Sequence, residues 1–315
     1  MSWVFLAGDR VFKLKKPVRY PFLDFSTLAL RRHFVAEEVR LNRRLAPDVY
    51  LGARPLALRP DGALGIGGPG RVVDWLVEMR RLPEDRFLDR VIEAGAATPE
   101  AVRRVAGILA AFYRRLPPVE IDAGAYAARF AAEQAETARV LADPDLGFSG
   151  PRLTGLLAAD GDSLAAVRPA MERRVAAGRI VEGHGDLRPE HVCMTDPPAI
   201  IDCLEFSPAL RSVDPFEEIV FLGLDCARLG ADWVFGVLFQ HLAEALDDRP
   251  PPELLAFHWR YRALLRARLA LLHLAEPEPR TPEKWRPLAW LYVELAEQAD
   301  RRTGVGRHHL PASGR

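Results

Sequence analysis

Two histidines and two aspartates stand close together in the segment VEGHGDLRPEHVCMTDPPAIIDCLEF, residues 181–206. They are His184, Asp186, His191 and Asp202. Carboxylate oxygens and imidazole nitrogens bind divalent metal ions, and either group can accept a proton in general base catalysis. The segment therefore predicts a site that combines one metal-binding position with one separate base.

Short apolar runs in this segment are typical of strands. HVCM and AIID flank TDPP, which has the composition of a turn. Pairing across a four-residue turn would place Met194 opposite Ala199 and His191 opposite Asp202, with Cβ atoms about 4.5–5.5 Å apart. We therefore expect a cation between His191 and Asp202, with Asp186 approaching the same point from the preceding loop.

The lysines are concentrated in one place. The chain has four lysines and thirty-nine arginines, and three of the four lysines are Lys13, Lys15 and Lys16. Lys13 and Lys15 share one face of a predicted strand, because successive strand residues point to opposite sides. Either one can direct a compact ammonium group toward phosphate oxygens. The alternative is a solvated basic strand that discourages aggregation at a sheet edge.

The elements around these residues change character near residue 80. An N-terminal hairpin, one amphipathic helix over residues 27–45 and a strand over residues 71–79 come first, and helical patterns dominate afterwards. The sequence therefore predicts an α+β fold with two lobes. Residues 1–80 would form a small sheet lobe with one helix, and residues 81–315 a larger, mainly helical lobe that also contains the polar segment.

The composition argues against several classes of protein. Forty-three basic residues balance forty-three acidic ones, so we expect neither a nucleic-acid nor a membrane partner.

The three cysteines, Cys193, Cys203 and Cys226, lack C-x-x-C spacing and are expected to be small buried residues. The Gly-rich stretch over residues 61–70 lacks the Lys-Ser/Thr of a P-loop and is interpreted as a turn. Without a leader-like segment or a long apolar run, a cytoplasmic protein is expected.

The polar segment resembles the catalytic loop of a known family. In the aminoglycoside phosphotransferase and choline kinase-like branch of the protein-kinase-like fold, H-G-D-x-x-x-x-N is followed by an aspartate at the end of the next strand. His184, Gly185, Asp186 and Asp202 match that pattern. The segments SWVFLAGDRVFKLKKP, FLDFSTL, LNRRLAP, HGDL and IIDCLEFSPALR are similar to an uncharacterised bacterial subgroup of this family, and the similarity covers nearly the whole chain.

This resemblance implies a phosphotransferase that uses ATP and Mg²⁺ to phosphorylate a hydroxyl of a small molecule. Asp186 would be the catalytic base, His184 would brace the loop, and Asp202 would bind the metal ion. His191 stands where the family has an asparagine as the second metal ligand, and a nitrogen ligand suits magnesium poorly. Either one metal position suffices, or the preferred metal differs.

The resemblance also assigns residues to the nucleotide. Lys13, with Lys15 as the alternate, would contact the phosphates, and Glu38 would hold that lysine. The adenine edge is assigned to backbone groups of three residues: Glu78, Met79 and Arg80. The family has a further strand ahead of the hairpin, and this first strand is expected to be absent here.

Two other functions fit the sequence. A metal-dependent hydrolase would use the two histidines and two aspartates of the polar segment as a single transition-metal site. A catalytically degenerate nucleotide-binding protein would account for the absent strand and for His191.

The sequence does not identify the acceptor molecule. Arg262 and Arg266 lie four residues apart with Arg260 nearby, which would suit an anionic acceptor, although a solvated helix face is the alternative. Glu205 follows Asp202 closely and is expected to shape the pocket.

Overall fold

The computed structural model describes residues 1–20, 23–275, 279 and 281–304, so Phe22 of the FLDFSTL segment lies outside the described residues. The strands are β1 (Ser2–Ala7), β2 (Arg10–Lys15), β3 (Arg19–Tyr20), β4 (Leu23–Asp24), β5 (Tyr50–Leu58), β6 (Leu64–Ile66), β7 (Arg71–Arg80), β8 (Val181–Glu182), β9 (Val192–Cys193), β10 (Ala199–Ile200) and β11 (Ser212–Val213). The α-helices are α1 (Leu28–Asn42), α2 (Leu88–Glu93), α3 (Pro99–Arg115), α4 (Ala123–Leu141), α5 (Pro151–Ala176), α6 (Pro208–Arg211), α7 (Pro215–Arg228), α8 (Trp233–Leu246), α9 (Pro252–Leu272), α10 (Pro282–Glu297) and α11 (Ala299–Thr303).

The chain divides into two compact units by its internal contacts. The first unit contains Met1–Leu116 and Glu182–Val213, and the second contains Pro117–Val181 and Asp214–Arg315. The first unit thus includes the polar segment as well as the predicted small lobe. This division does not test the predicted functional boundary at residue 80, which stays a prediction.

An antiparallel sheet with strand order β1-β2-β7-β5-β6 forms the framework of the first unit. The predicted N-terminal hairpin is confirmed, since β1 and β2 pair with Val4 opposite Lys13. On its other side β2 pairs with β7, where Lys13 lies opposite Val77. The Gly-rich residues 61–70, which the sequence analysis interprets as a turn, contain turns and also the short strand β6.

Helix α1 packs on this sheet through an apolar face. The helix begins after Thr27, whose hydroxyl accepts a hydrogen bond from the N–H of Leu30 (3.2 Å). Val35 and Val39, four residues apart on one face, join a buried cluster that also contains side chains from β5, β7, β9 and β10. This cluster fixes the position of α1 and of the β9–β10 hairpin relative to the sheet. Both elements carry residues of the candidate site.

Cys193, Cys203 and Cys226 are all buried free thiols, which confirms the expectation from their spacing. None of the helices in the described part of the chain is long and apolar enough to cross a membrane.

The second unit packs its helices around an aromatic cluster. Tyr126 and Phe130 of α4 contact Phe257 and Tyr261 of α9, and residues of α5 complete the cluster. Helix α7 begins at Asp214, whose carboxylate accepts a hydrogen bond from the N–H of Phe216 (2.9 Å). Asp214 is therefore a helix cap, as the sequence predicts.

The arginines of α9 are engaged within the second unit. Arg262 binds the buried carboxylate of Glu217 (2.5 Å), Arg266 donates to the hydroxyl of Tyr292 (3.3 Å), and Arg260 lies 3.5 Å from Asp300. An anionic acceptor at this position would have to displace these partners. The arginine side chains are only partly exposed, so the solvated-face interpretation does not describe them either.

His258 on α9 makes the stability of the protein depend on pH. Its side chain is buried, and its Nδ1 has no hydrogen-bond partner among the described residues. Burial lowers the pKa of His258 to about 4, although the nearby Glu217 carboxylate acts in the opposite direction. The unfolded chain takes up this proton near pH 6.5, whereas the folded protein resists it.

The stabilisation from a neutral His258 is therefore complete above about pH 6.5 and is lost as the pH falls to about 4. We expect the free energy of unfolding to drop by about 2–3 kcal/mol across this interval. Urea unfolding at several pH values measures the drop. His258→Phe should flatten it, whereas His33→Gln, a change at an exposed histidine, should not. An unchanged pH profile in His258→Phe would contradict this account.

Candidate active site

His184 holds the loop that follows β8. Its side chain is fully buried, and Nδ1 accepts a hydrogen bond from the backbone N–H of Asp186 (3.2 Å) while Nε2 donates to the carbonyl of Ile201 (2.8 Å). Because the backbone N–H only donates and the carbonyl only accepts, these bonds require a neutral ring with its proton on Nε2. His184 thus joins the loop to the end of β10 and uses both ring nitrogens to do so.

Gly185 lets the loop approach residues 204–211 closely. Its φ is +86°, and a Cβ at this position would lie 3.1 Å from side-chain atoms of both Leu204 and Arg211. The buried Arg211 donates to the carbonyls of Leu204 and Glu205 (3.0 Å each) and to Glu182 (2.9 Å). One arginine therefore connects the start of the loop with the segment that follows Asp202.

The β9–β10 hairpin differs by one residue from the predicted register. The strands pair Cys193 with Ala199, so the prediction of Met194 opposite Ala199 is wrong. Met194 leaves the ladder because its backbone N–H donates to the carbonyl of Arg86 (2.7 Å). The turn is consequently one residue longer than the four residues that the sequence suggested.

His191 and Asp202 nevertheless meet beyond the paired residues. Nε2 of His191 lies 3.6 Å from Oδ2 of Asp202, and Nδ1 donates to the backbone carbonyl of Asp186 (2.8 Å). The carboxylate of Asp186 is 3.8 Å from the same Nδ1. The three residues that the sequence selected as metal ligands and base are therefore neighbours.

Lys13 connects β2 to this group. Its ammonium lies 2.7 Å from Oε1 of Glu38 on α1 and 2.6 Å from Oδ1 of Asp202. Glu37, one residue earlier, instead pairs with Arg40 near the surface (2.8 Å). The structure thus brings together the lysine and the glutamate that the resemblance paired, and adds the aspartate after β10.

Lys15 lies deeper than Lys13 and has different partners. Only 1% of its side chain is exposed, compared with 17% for Lys13. Its ammonium lies 2.7 Å from Oε2 of Glu38 and makes a short contact with Glu205. Glu38 therefore holds one lysine on each carboxylate oxygen, and Glu205 does more than shape the pocket.

The lysines control the ionisation of these carboxylates. Burial alone would raise the pKa of Glu38, but Lys13 and Lys15 hold it below its ordinary value. Partial burial likewise opposes ionisation of Asp202, and the Lys13 ammonium keeps the pKa of Asp202 low. Burial would lower the pKa of Lys13, yet Asp202 and Glu38 raise it well above its ordinary value. Lys13, Glu38 and Asp202 are therefore all charged at neutral pH.

Asp202 occupies a left-handed turn that two buried side chains hold in place. Its φ is +65°, which is uncommon for a residue other than glycine, although aspartate adopts it more readily than most residues do. The hydroxyl of Tyr50 accepts a hydrogen bond from the N–H of Asp202 (3.1 Å), and Oδ1 of Asn42 accepts one from the N–H of Cys203 (2.9 Å). These contacts point the Asp202 carboxylate toward Lys13 and His191.

Sequence reasoning missed Asn42 and Tyr50. Asn42 was detectable in part, because it lies seven residues after Val35 and so occupies the apolar face of α1, where a polar residue needs a partner. Tyr50 gives no such signal, since an aromatic residue at the start of a strand is ordinary.

Replacing Tyr50 with phenylalanine should weaken the turn at Asp202. The change leaves the N–H of Asp202 without its protein acceptor, so we expect a loss of about 1–3 kcal/mol in the free energy of unfolding. The sequence resemblance implies that Asp202 holds the metal ion of metal-ATP, and on that role the variant should bind metal-ATP more weakly, because Asp202 loses part of its fixed orientation, while binding of metal-free ATP should change little. Urea unfolding and calorimetric titration measure the two effects. Equal weakening with and without metal would contradict the orienting role.

A pocket of about 240 Å³ borders this cluster. Its lining includes Lys13, Asp186, Asp202 and Glu205, all within the first unit. Asp186 and Asp202 are about one-third and two-fifths exposed, so both carboxylates are open to a ligand. Carboxylates outnumber ammonium groups here, which favours binding of a cation.

The residues assigned to adenine lie further along the sheet. Glu78, Met79 and Arg80 are at the end of β7, beyond Val77, which faces Lys13. Met79 is buried in the core, and Glu78 pairs with Arg54 (2.6 Å). These positions do not test the assignment of the three residues to adenine, which stays a prediction.

No protein-family model matches the sequence. The chain is 31% identical over 282 residues to the uncharacterised proteins Rv2004c and MT2060 of Mycobacterium tuberculosis and Mb2027c of Mycobacterium bovis. The alignment covers 88% of this chain and 54% of each relative, so the chain spans about half the length of these curated relatives.

Among solved structures, an ethanolamine kinase from Plasmodium vivax aligns with a TM-score of 0.52 and 11% identity, over 93% of this chain and 77% of the kinase. An aminoglycoside-3'-phosphotransferase of type VIII aligns over 84% of this chain and 87% of its own, with 18% identity and a TM-score of 0.43. The first similarity, together with the sheet unit and the helical unit, shows the two-lobed α+β protein-kinase-like fold that the sequence predicts.

Proposed function

We propose that this chain is a phosphotransferase that moves the γ-phosphoryl group of ATP to a hydroxyl of a small molecule. The observation that carries the proposal is the position of Lys13 between Glu38 and Asp202, with Asp186 lining the same pocket. Phosphoryl transfer depends mainly on positioning and charge neutralisation, and these groups supply both.

Lys13 is the residue that would contact the phosphates. Glu38 on α1 binds the ammonium of Lys13, so Lys13 would keep one partner and stay in the pocket with a metal ion bound to Asp202. Lys15 would fix Glu38 from the other side rather than contact the nucleotide, because it is buried against Glu38 and Glu205. The backbone of Glu78, Met79 and Arg80 remains the proposed adenine contact.

Asp202, with His191 beside it, would hold the divalent ion. The carboxylate fits such an ion, because it is ionised and open to the pocket, and the ion would neutralise charge on the phosphates. The resemblance assigns Mg²⁺ to this position. The oxygen ligand suits that assignment better than the imidazole does.

Asp186 would act as the base. In the transfer a bond forms between the acceptor oxygen and the γ-phosphorus while the bond from that phosphorus to the bridging oxygen of ADP breaks. The proton of the acceptor hydroxyl passes to the carboxylate of Asp186. His184 sets the position of Asp186 by bonding its backbone N–H, and takes no part in the transfer itself.

The hydrolase alternative gains no support from the geometry. Both ring nitrogens of His184 form hydrogen bonds with the backbone and are therefore not available to a metal ion. No group of three or more potential metal ligands occurs in the described ranges of the chain. The degenerate nucleotide-binding alternative shares the same site, and ATP binding without turnover on any acceptor would favour it.

Calorimetric titration of the metal-stripped protein with ATP, with and without Mg²⁺, tests the proposal. We expect metal-dependent binding in the wild type and loss of that dependence in Asp202→Ala. Asp196→Ala, a change at an exposed residue of the β9–β10 turn, is the matched control. The absence of ATP binding with any divalent ion would refute the proposal.

A further inference from the structure

The ring of His191 is oriented so that Nε2 faces Asp202 and Nδ1 faces the backbone carbonyl of Asp186. Nδ1 lies 2.8 Å from the carbonyl of Asp186, and a carbonyl can only accept, so the proton of the neutral ring is on Nδ1. Nε2 is then the unprotonated nitrogen. A backbone carbonyl that fixes the tautomer in this way is the usual support of a metal-binding histidine.

The distance from His191 to Asp202 fits a shared metal ion better than a hydrogen bond. Nε2 and Oδ2 are 3.6 Å apart, which exceeds the usual hydrogen-bond range of about 2.7–3.2 Å. Two ligands that bind one ion at about 2.1–2.2 Å are about 3.0–3.6 Å apart when the angle between them is about 90–110°. Lys13 occupies the other carboxylate oxygen, Oδ1, so Oδ2 is the one available to an ion.

We propose that Nε2 of His191 and Oδ2 of Asp202 together bind a divalent first-row transition-metal ion, with Mn²⁺ bound in preference to Mg²⁺. This inference rests on the proposed function, because the remaining ligands would be phosphate oxygens and water. It selects one of the two outcomes that the sequence left open, namely that the preferred metal differs.

The choice of metal follows from the ligand set. Mg²⁺ demands oxygen ligands, whereas Mn²⁺ accepts an imidazole nitrogen and still suits the carboxylate, phosphate and water oxygens around it. A zinc site of structural type would need more protein ligands, and the described residues contain no group of three. An oxygen-rich site with one nitrogen therefore fits Mn²⁺.

Pulsed electron paramagnetic resonance of bound Mn²⁺ tests the nitrogen ligand directly. The protein is prepared with ¹⁵N-labelled histidine and loaded with Mn²⁺ and a non-hydrolysable ATP analogue. We expect a ¹⁵N coupling of a directly bound imidazole, which the natural-abundance nitrogens of adenine cannot produce. The coupling should vanish in His191→Asn and persist in His33→Asn, a change at an exposed histidine.

Nucleotide affinity gives the second readout. The wild type should bind the Mn²⁺ complex of the analogue at least about tenfold more tightly than the Mg²⁺ complex, which corresponds to about 1.4 kcal/mol. In His191→Asn the ratio should fall to about one, because an amide oxygen suits both ions.

The outcomes separate the two proposals. Tight binding of the Mg²⁺ complex without any ¹⁵N coupling to Mn²⁺ would overturn the histidine ligand and leave the phosphotransferase proposal standing. Failure of every metal-nucleotide complex to bind would overturn both. If His191→Asn does not fold, the labelled wild-type protein alone still decides, since a missing ¹⁵N coupling there contradicts the inference.

Discussion

Replacing Asp186 with asparagine should lower kcat by about 10²–10⁴-fold and leave the Kd for metal-ATP within about twofold of the wild-type value. Asparagine keeps the shape of the side chain but cannot accept the acceptor's proton. Asp186 lines the pocket, whereas the ion-pair partners of Lys13 are Glu38 and Asp202, so replacing Asp186 removes no partner of the lysine that we propose contacts the phosphates. Its backbone bond to His184 is also kept, and the loop should therefore stay in place.

Single-turnover transfer to an acceptor found by screening, together with calorimetric titration, separates these two effects. Asp202→Asn is the informative comparison, because it should weaken metal-ATP binding itself. Asp196→Asn, at the exposed turn of the same hairpin, should match the wild type in both assays. Equal loss of ATP affinity in Asp186→Asn and Asp202→Asn would show that the two carboxylates do not have different roles.

Local patterns predicted the elements that carry this site. Alternation of apolar and basic residues located β2, and apolar residues at helical spacing over residues 27–45 located α1, because both patterns depend only on near neighbours. The same patterns placed Lys13 and Lys15 on one face of β2. They left open which lysine faces the pocket, since that depends on how deeply each lies against α1.

These local patterns could not predict contacts between residues that are far apart in the sequence. The hydroxyl of Tyr50 meets the N–H of Asp202 across 152 positions, and Asn42 meets Cys203 across 161. The register of the β9–β10 hairpin failed for the same reason. Its turn length depends on Met194 bonding the carbonyl of Arg86, a residue more than a hundred positions away that no property of the TDPP turn reveals.

Substitution of the two lysines should affect different properties of the protein. Lys15→Met should lower the free energy of unfolding by about 3–5 kcal/mol, because it leaves the half-buried Glu205 carboxylate without its lysine partner and the buried Glu38 with only one lysine. Lys13→Met should cost much less stability, since Glu38 keeps Lys15 and the Asp202 carboxylate is 44% exposed. Lys13→Met should instead weaken the binding of ATP by about 10–100-fold.

Urea unfolding of the two variants, followed by tryptophan fluorescence, and titration with metal-ATP give both quantities. The double variant Lys15→Met/Glu205→Leu removes the stranded carboxylate together with the lysine, so it should regain much of the stability that Lys15→Met loses. Burial and the neighbouring Glu38 raise the pKa of Glu205 even with Lys15 present. Without Lys15 this pKa should rise further, so Glu205 should become protonated as the pH is lowered, and the Lys15→Met variant should then lose less stability. Similar losses of stability in Lys13→Met and Lys15→Met would contradict the division between a phosphate-binding lysine and a buried lysine that fixes Glu38.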